Sequence, residues 1–304
     1  MYDKNDPRAS LSTSKAELPS RYAAAEYGYF YGTPPQIETV DSKTWIARGQ
    51  NMLIAYTEGQ QGAVFTRTSQ PDEYGIILPD AGEGAEITTP HGVTQVPGNS
   101  IAFIPAGDSS IRLKTTMQLV RIFSPKATDI SDLASNRDAF AGPHPTVPEF
   151  TQWPEPPDGP KVRHYSLDVP PQQGRFGRIF RCTTMMINVL EPRDGPRAKT
   201  QVSPHHHDDF EQCSLALSGE FTHHLRWPWT TNMTEWREDE HVLCGSPSIC
   251  IIPPPVIHTT TAEGAGINQL VDIFAPPRLD FSAKPGWVLN EDDYPNQPHI
   301  EATS

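Results

Sequence analysis

The chain has 304 residues, a net charge of −13 and a pI near 5.2, a balance that speaks against a nucleic-acid partner because no basic stripe exists to neutralise phosphates. Its 32 prolines and 21 glycines, without long amphipathic helical periodicity, argue against a helical bundle and for an all-β chain long enough to hold two cores. No apolar run reaches membrane-spanning length, the start Met1-Tyr-Asp-Lys is polar, and Cys182, Cys213, Cys244 and Cys250 show no CxxC spacing. A cytoplasmic protein with no membrane partner and no disulfide scaffold is therefore expected.

In chain order, residues 1–28 read as a polar N-terminal arm whose aromatic end, Tyr27, Tyr29, Phe30 and Tyr31, suits a reach across another surface. Residues 29–125 carry short apolar runs at 51–56, 62–66, 74–78, 100–104 and 119–123, divided by turns, and form a first expected barrel. Residues 126–165 break the pattern with Pro143-His-Pro-Thr-Val-Pro and Trp153-Pro-Glu-Pro-Pro, a semi-rigid connector. A second series follows at 176–181, 185–190, 213–217, 221–225, 248–252 and 268–274, giving a second barrel over 166–280. A proline-rich tail, 281–304, is expected to tie Trp287, Val288 and Tyr294 across a barrel.

The run His205-His206-His207-Asp208-Asp209-Phe210-Glu211-Gln212 is the densest concentration of chemistry in the chain, and it continues straight into the apolar alternation at 213–217. Side chains alternate along a strand, so His205 and His207 are expected on one face, where two imidazoles can grip one metal ion. Glu211 and Gln212 cannot both face that ion without a bulge. Farther on, Gly245 leads through an apolar run to Pro253-Pro-Pro-Val-Ile-His258, which offers a third imidazole.

These two blocks resemble the motifs of the cupin superfamily. His205-x-His207, four residues, Gln212, six residues and Gly219 match the first motif; Gly245 and Pro253 to His258 match the second more loosely, with Pro255 where the family usually has glycine and Ala262 where asparagine is frequent. The resemblance implies tandem jelly-roll barrels and one divalent transition metal per chain, held by His205, His207, Gln212 and His258, with Glu211 as the alternative to Gln212. Counting back from Gly219 favours Gln212. Iron is the first expectation; Ni, Zn and Mn suit the same N/O donors. In the first half, Gly98 to Gly107 repeats the second motif with Ser110 in place of the histidine, and Arg67-x-Ser69 followed by Glu73 reads as a first motif without its histidines, so the N-terminal barrel is expected to be metal-free.

Around the centre, His223 and Arg226 are weak candidates for substrate contact, Trp227 and Trp229 for capping the barrel mouth, and Asp208 or Asp209 for orienting an imidazole. The expected function is a metal-dependent enzyme on a small-molecule substrate. A non-haem Fe(II) dioxygenase acting on a metal-chelating aromatic or enolic compound ranks first; an isomerase or lyase on a sugar acid or related carbonyl compound and a non-catalytic ligand-binding cupin are the alternatives. One apolar face of 101–104 and of 249–252 must be covered, by the other barrel, by the proline-rich connector or by a partner chain, and a homodimer or larger assembly is expected.

Overall fold

The computed structural model describes residues 19–296, so the first part of the expected arm and the end of the tail lie outside the described residues. Each apolar run expected as a strand is one, and together they build two β-sandwich barrels. The N-terminal barrel pairs a seven-stranded sheet, ordered Arg163–Ser166, Ser100–Ile104, Tyr74–Leu78, Met117–Phe123, Leu53–Gly59, Ser42–Arg48 and Ile37–Glu38, with a four-stranded sheet of Val64–Gln70, Gly107–Leu113, Ala85–Thr89 and Gly92–Val96. The C-terminal barrel repeats this plan. Its large sheet runs Glu26–Tyr29, Ser248–Ile252, Glu211–Ser218, Ile267–Ala275, Met186–Val189 and Arg178–Arg181, with Arg193–Asp194 beside Ile267–Ala275. Its small sheet is Glu240–Cys244, Phe221–Arg226 and Ile257–Ala262.

Each barrel receives one edge strand from outside its own segment. Glu26–Tyr29, expected at the end of the arm, pairs antiparallel with Ser248–Ile252 of the C-terminal barrel. Arg163–Ser166, expected at the connector boundary, pairs with Ser100–Ile104 of the N-terminal barrel. Both edges would otherwise present unpaired N–H and C=O groups. The domain boundaries drawn from sequence therefore cut through strands that belong to the other barrel's neighbourhood.

Alternation assigns each strand two jobs. Ile101, Phe103, Val120 and Ile122 from one large sheet meet Cys213, Leu215, Ile249, Ile251, Val271 and Ile273 from the other in a single buried cluster between the barrels. The opposite faces point into the barrels, and here the halves diverge. The N-terminal interior is lined mainly by apolar side chains such as Ile46, Leu53, Ile76, Leu78, Ile87, Ile111 and Phe123. The C-terminal interior has smaller apolar clusters and buries Asn188, Gln212, Ser214, His223, His258 and Asp272 instead. An interior polar set on that scale needs partners to offset its desolvation.

Candidate metal centre

The expectation that His205 and His207 lie on a regular strand is corrected. The strand begins at Glu211, and the histidines sit in the segment before it. His205 is nevertheless fixed by an isolated antiparallel bridge to His258, with His205 N donating to His258 O at 3.1 Å and His258 N donating to His205 O at 2.8 Å. Local backbone pairing thus brings together histidines 53 positions apart in sequence (258 − 205). The turn before His258 contains a cis Pro254–Pro255 bond in place of the usual glycine. Gly219, at φ +87° in the hairpin after Gln212, lies so close to Asn268 that a Cβ would strike that side chain.

The three imidazoles gather at one end of the barrel. Ring centroids of His205 and His258 are 4.5 Å apart, those of His207 and His258 5.1 Å, and those of His205 and His207 6.5 Å. Nδ1 of His205 lies 2.9 Å from Ser203 O and Nδ1 of His258 lies 2.9 Å from Val256 O, which leaves both Nε2 atoms free. His258 Nε2 is buried without a hydrogen-bond partner, and so is His207 Nδ1. Burial, reinforced for His207 by the neighbouring His258, pulls the His207 pKa down to about 3 and that of His258 to about 4. Both rings are therefore neutral at pH 7, the form that coordinates a metal.

Gln212 and Glu211 part company as alternation requires. Gln212 faces the interior, its Oε1 3.1 Å from His207 Nε2. Its Nε2 donates to Ser214 Oγ at 3.2 Å and to Asp272 Oδ1 at 3.1 Å, and Ser214 Oγ donates to the same Asp272 oxygen at 2.7 Å. Those contacts fix which way the amide points, so the carbonyl oxygen is the atom turned toward the histidines. Glu211 faces the other barrel: its two carboxylate oxygens accept from the backbone N–H groups of Gln50 and Asn51, each at 2.9 Å. It is fully buried there, and burial pushes its pKa up to about 7.

The weaker candidates scatter. His223 is buried in the barrel, with Nδ1 3.1 Å from Thr260 Oγ1 and Nε2 unpartnered. Arg226 points away from the barrel interior: its side chain is 67% exposed and paired with Asp239, and it lines a surface pocket that His258 also borders. Trp227 is buried and donates through Nε1 to Ala23 O of the arm, whereas Trp229 is exposed and stacks on Trp236. Asp208 and Asp209 are exposed, and the carboxylate that orients a candidate ligand is Asp272. In the N-terminal barrel the interior position opposite the old motif belongs to Ser109, not Ser110, because the register shifts between Gly107 and Ser109. Tyr74 occupies the place of Gln212 and bonds Ser109 Oγ at 2.9 Å, while Glu73 turns outward to the second barrel.

Sequence reasoning missed Asp272, Ser214, Phe210 and Arg278. Phe210 stacks on His207 at 4.0 Å, and the Arg278 guanidinium lies 4.6 Å from the Phe210 ring centre. The signal for Asp272 was legible: it is a charge inside the apolar run Leu270 to Ala275, in phase with the interior residues Leu270 and Phe274.

Among the described residues, no three His, Cys, Asp or Glu side chains already stand at metal-holding separations. The donor chemistry nonetheless fits a divalent ion: two buried, neutral imidazoles have orphaned nitrogens, the free Nε2 of a third lies beside them, and an oriented carboxamide oxygen completes the set.

No protein-family model matches the chain, and no curated protein matches it by sequence. Solved structures do match. Oxalate decarboxylase from Lactobacillus farciminis, in a formate complex, aligns with a TM-score of 0.56 at 12% identity over 86% of this chain and 88% of its own. A mutant oxalate decarboxylase from Bacillus subtilis aligns at 0.55 and 13% identity over 87% and 80%, and AerE from Microcystis aeruginosa at 0.52 and 9% over 84% and 98%. The chain thus has the cupin-type fold of these structures, two jelly-roll barrels in tandem.

Proposed function

We propose that this bicupin is a metal-dependent enzyme whose single centre lies in the C-terminal barrel, with His205, His207, His258 and Gln212 as ligands, and that it is a dioxygenase for a small metal-chelating substrate. The observation that carries this reading is the buried, partnerless His258 Nε2 beside a Gln212 oxygen held in place by Asp272 and Ser214. A buried polar atom without a partner costs about 1–3 kcal/mol, and coordination relieves it. A bound divalent ion would supply Lewis-acid activation and, if iron, redox chemistry. The chain's own residues do the rest. Four uncharged ligands leave an ion's charge undiminished, so the site favours an anionic or enolate substrate. Arg278, paired with Asp280 and mostly buried over Phe281, adds positive potential on the Phe210 side. Phe210 packs against His207 and keeps that imidazole dry.

A second reading, carbon–carbon cleavage of a small carboxylate, draws support from the oxalate decarboxylases among the similar structures. Metal analysis on anaerobically purified protein, with oxygen uptake over diphenols and diketones and carbon dioxide release from dicarboxylates, separates the two. Iron with substrate-dependent uptake supports the dioxygenase; carbon dioxide release without net uptake supports the lyase; metal without turnover on either panel refutes both.

A further inference from the structure

The repeat that relates the barrels contains one reversal of charge. Gln118-Leu-Val-Arg121-Ile-Phe123 on the fourth strand of the N-terminal large sheet corresponds to Gln269-Leu-Val-Asp272-Ile-Phe274 on the fourth strand of the C-terminal one. Asp272 supports the metal-ligand glutamine proposed above. Arg121, at the same place, points into the metal-free barrel and is only 6% exposed.

Arg121 has no counter-charge. Its Nε is buried without a partner, and among the described residues its guanidinium makes no hydrogen bond and no ion pair; it lies over the Phe65 ring at 4.8 Å. The charged residue that acts on it is another cation, Arg67, whose own guanidinium is already committed to Asp129 and Gln70. Burial pulls the Arg121 pKa down to about 10, so it stays charged at neutral pH. Across the strand pair, Arg121 stands opposite Ile76 and diagonal to Tyr74, whose hydroxyl is 2.9 Å from Ser109 Oγ. That hydroxyl pair has two hydrogens and uses one between its members, so one donor is left over. The interior around Arg121 is therefore rich in donors, apolar in its walls and without a carboxylate. A guanidinium that has lost most of its hydration and whose Nε has no protein partner is stabilised when an anion joins it.

We propose that the N-terminal barrel is an anion receptor: it binds one small carboxylate-class anion against the Arg121 guanidinium, with the spare hydroxyl hydrogen of the Tyr74–Ser109 pair as the second donor. The assignment is independent of the C-terminal metal reading. It gives the barrel without histidines a ligand of opposite sign to the one expected in its twin.

Titration calorimetry and thermal melting of the full-length, metal-stripped protein with sodium acetate, against sodium chloride at equal ionic strength, test this. The wild type is expected to bind one acetate per chain and to melt higher in its presence, and His258→Ala is expected to behave alike. Arg121→Met, similar in volume and uncharged, should weaken acetate binding by at least about tenfold, the loss of one charge-assisted contact. In acetate-free buffer that variant should melt at or above the wild type. If Arg121→Met does not fold, Tyr74→Phe decides: it keeps the barrel filled, and weaker acetate binding is expected. Absence of acetate binding at tens of millimolar, binding indifferent to Arg121→Met or Tyr74→Phe, or binding lost in His258→Ala would each overturn the proposal.

Discussion

Gln212 and Glu211 are neighbours in sequence with opposite surroundings, and single substitutions should separate their roles. Gln212→Ala is expected to lower metal content without unfolding the chain, because Gln212 contributes only interior contacts to His207, Ser214 and Asp272. Glu211→Ala should leave the metal in place but destabilise the protein by about 1–3 kcal/mol for each backbone N–H of Gln50 and Asn51 left buried without an acceptor. Metal analysis beside urea unfolding reads both; a Glu211→Ala protein that is stable and metal-free would reverse the assignment. Asp272→Ala, which frees the Gln212 amide to turn, should weaken metal affinity by about 10–100-fold, measured by competition with a chelator.

At the scale of elements, the two large sheets are joined by reciprocal carboxylates. Glu211 reaches the turn after Ser42–Arg48, and Glu73 reaches the equivalent turn after Arg178–Arg181, accepting from Thr183 N at 2.9 Å, Thr183 Oγ1 at 3.0 Å and Tyr294 Oη at 2.8 Å. Burial raises the Glu73 pKa despite those donors. Between the ordinary glutamate value and the raised one, the folded chain holds a proton that the unfolded chain has lost, so stability falls as pH rises through that window. Glu73→Gln carries no titrating group, keeps an accepting oxygen, and is expected to flatten this fall in denaturation midpoints measured across the window. The slope that remains belongs partly to Asp72, whose pKa burial also raises. The exchanged arm strand makes a steric prediction. A Cβ on Gly28 would lie 2.9 Å from Ile249 Cγ1 and 3.3 Å from Ala47 Cβ, so Gly28→Val should destabilise the protein by about 1–3 kcal/mol through overpacking. A valine variant with an unchanged melting temperature would mean that the arm does not dock as described.

For the whole molecule, the apolar faces that seemed from sequence to need a cover are covered within one chain. Ile101 and Ile249 lie in the same buried cluster between the barrels, and Glu26–Tyr29 closes the exposed edge beside Ser248–Ile252. Light scattering at micromolar concentration tests the homodimer or larger assembly expected from sequence: a mass near that of one chain, 33.7 kDa, would show that the chain covers its own strands. Among the described residues, no helix is long and apolar enough to cross a membrane.

The all-β class, the strand positions and the histidine clusters were set by sequence alone, because period-two alternation, proline and glycine turns and closely spaced imidazoles are local features. Some strands outside the expected runs, Glu240–Cys244 and Gly92–Val96, expose much of their length, so hydrophobicity does not announce them; others, Ser42–Arg48 and Ile257–Ala262, are largely buried and mix polar with apolar residues. The choice between Glu211 and Gln212 was half legible: alternation required that they face opposite ways, but only the packing of the second barrel against the first shows which environment each receives. Asp272, Arg278 and the unpaired Arg121 acquire meaning from neighbours distant in sequence, and so does the exchange of edge strands. A charge's role depends on what surrounds it in space, and that surrounding was decided by the tertiary structure.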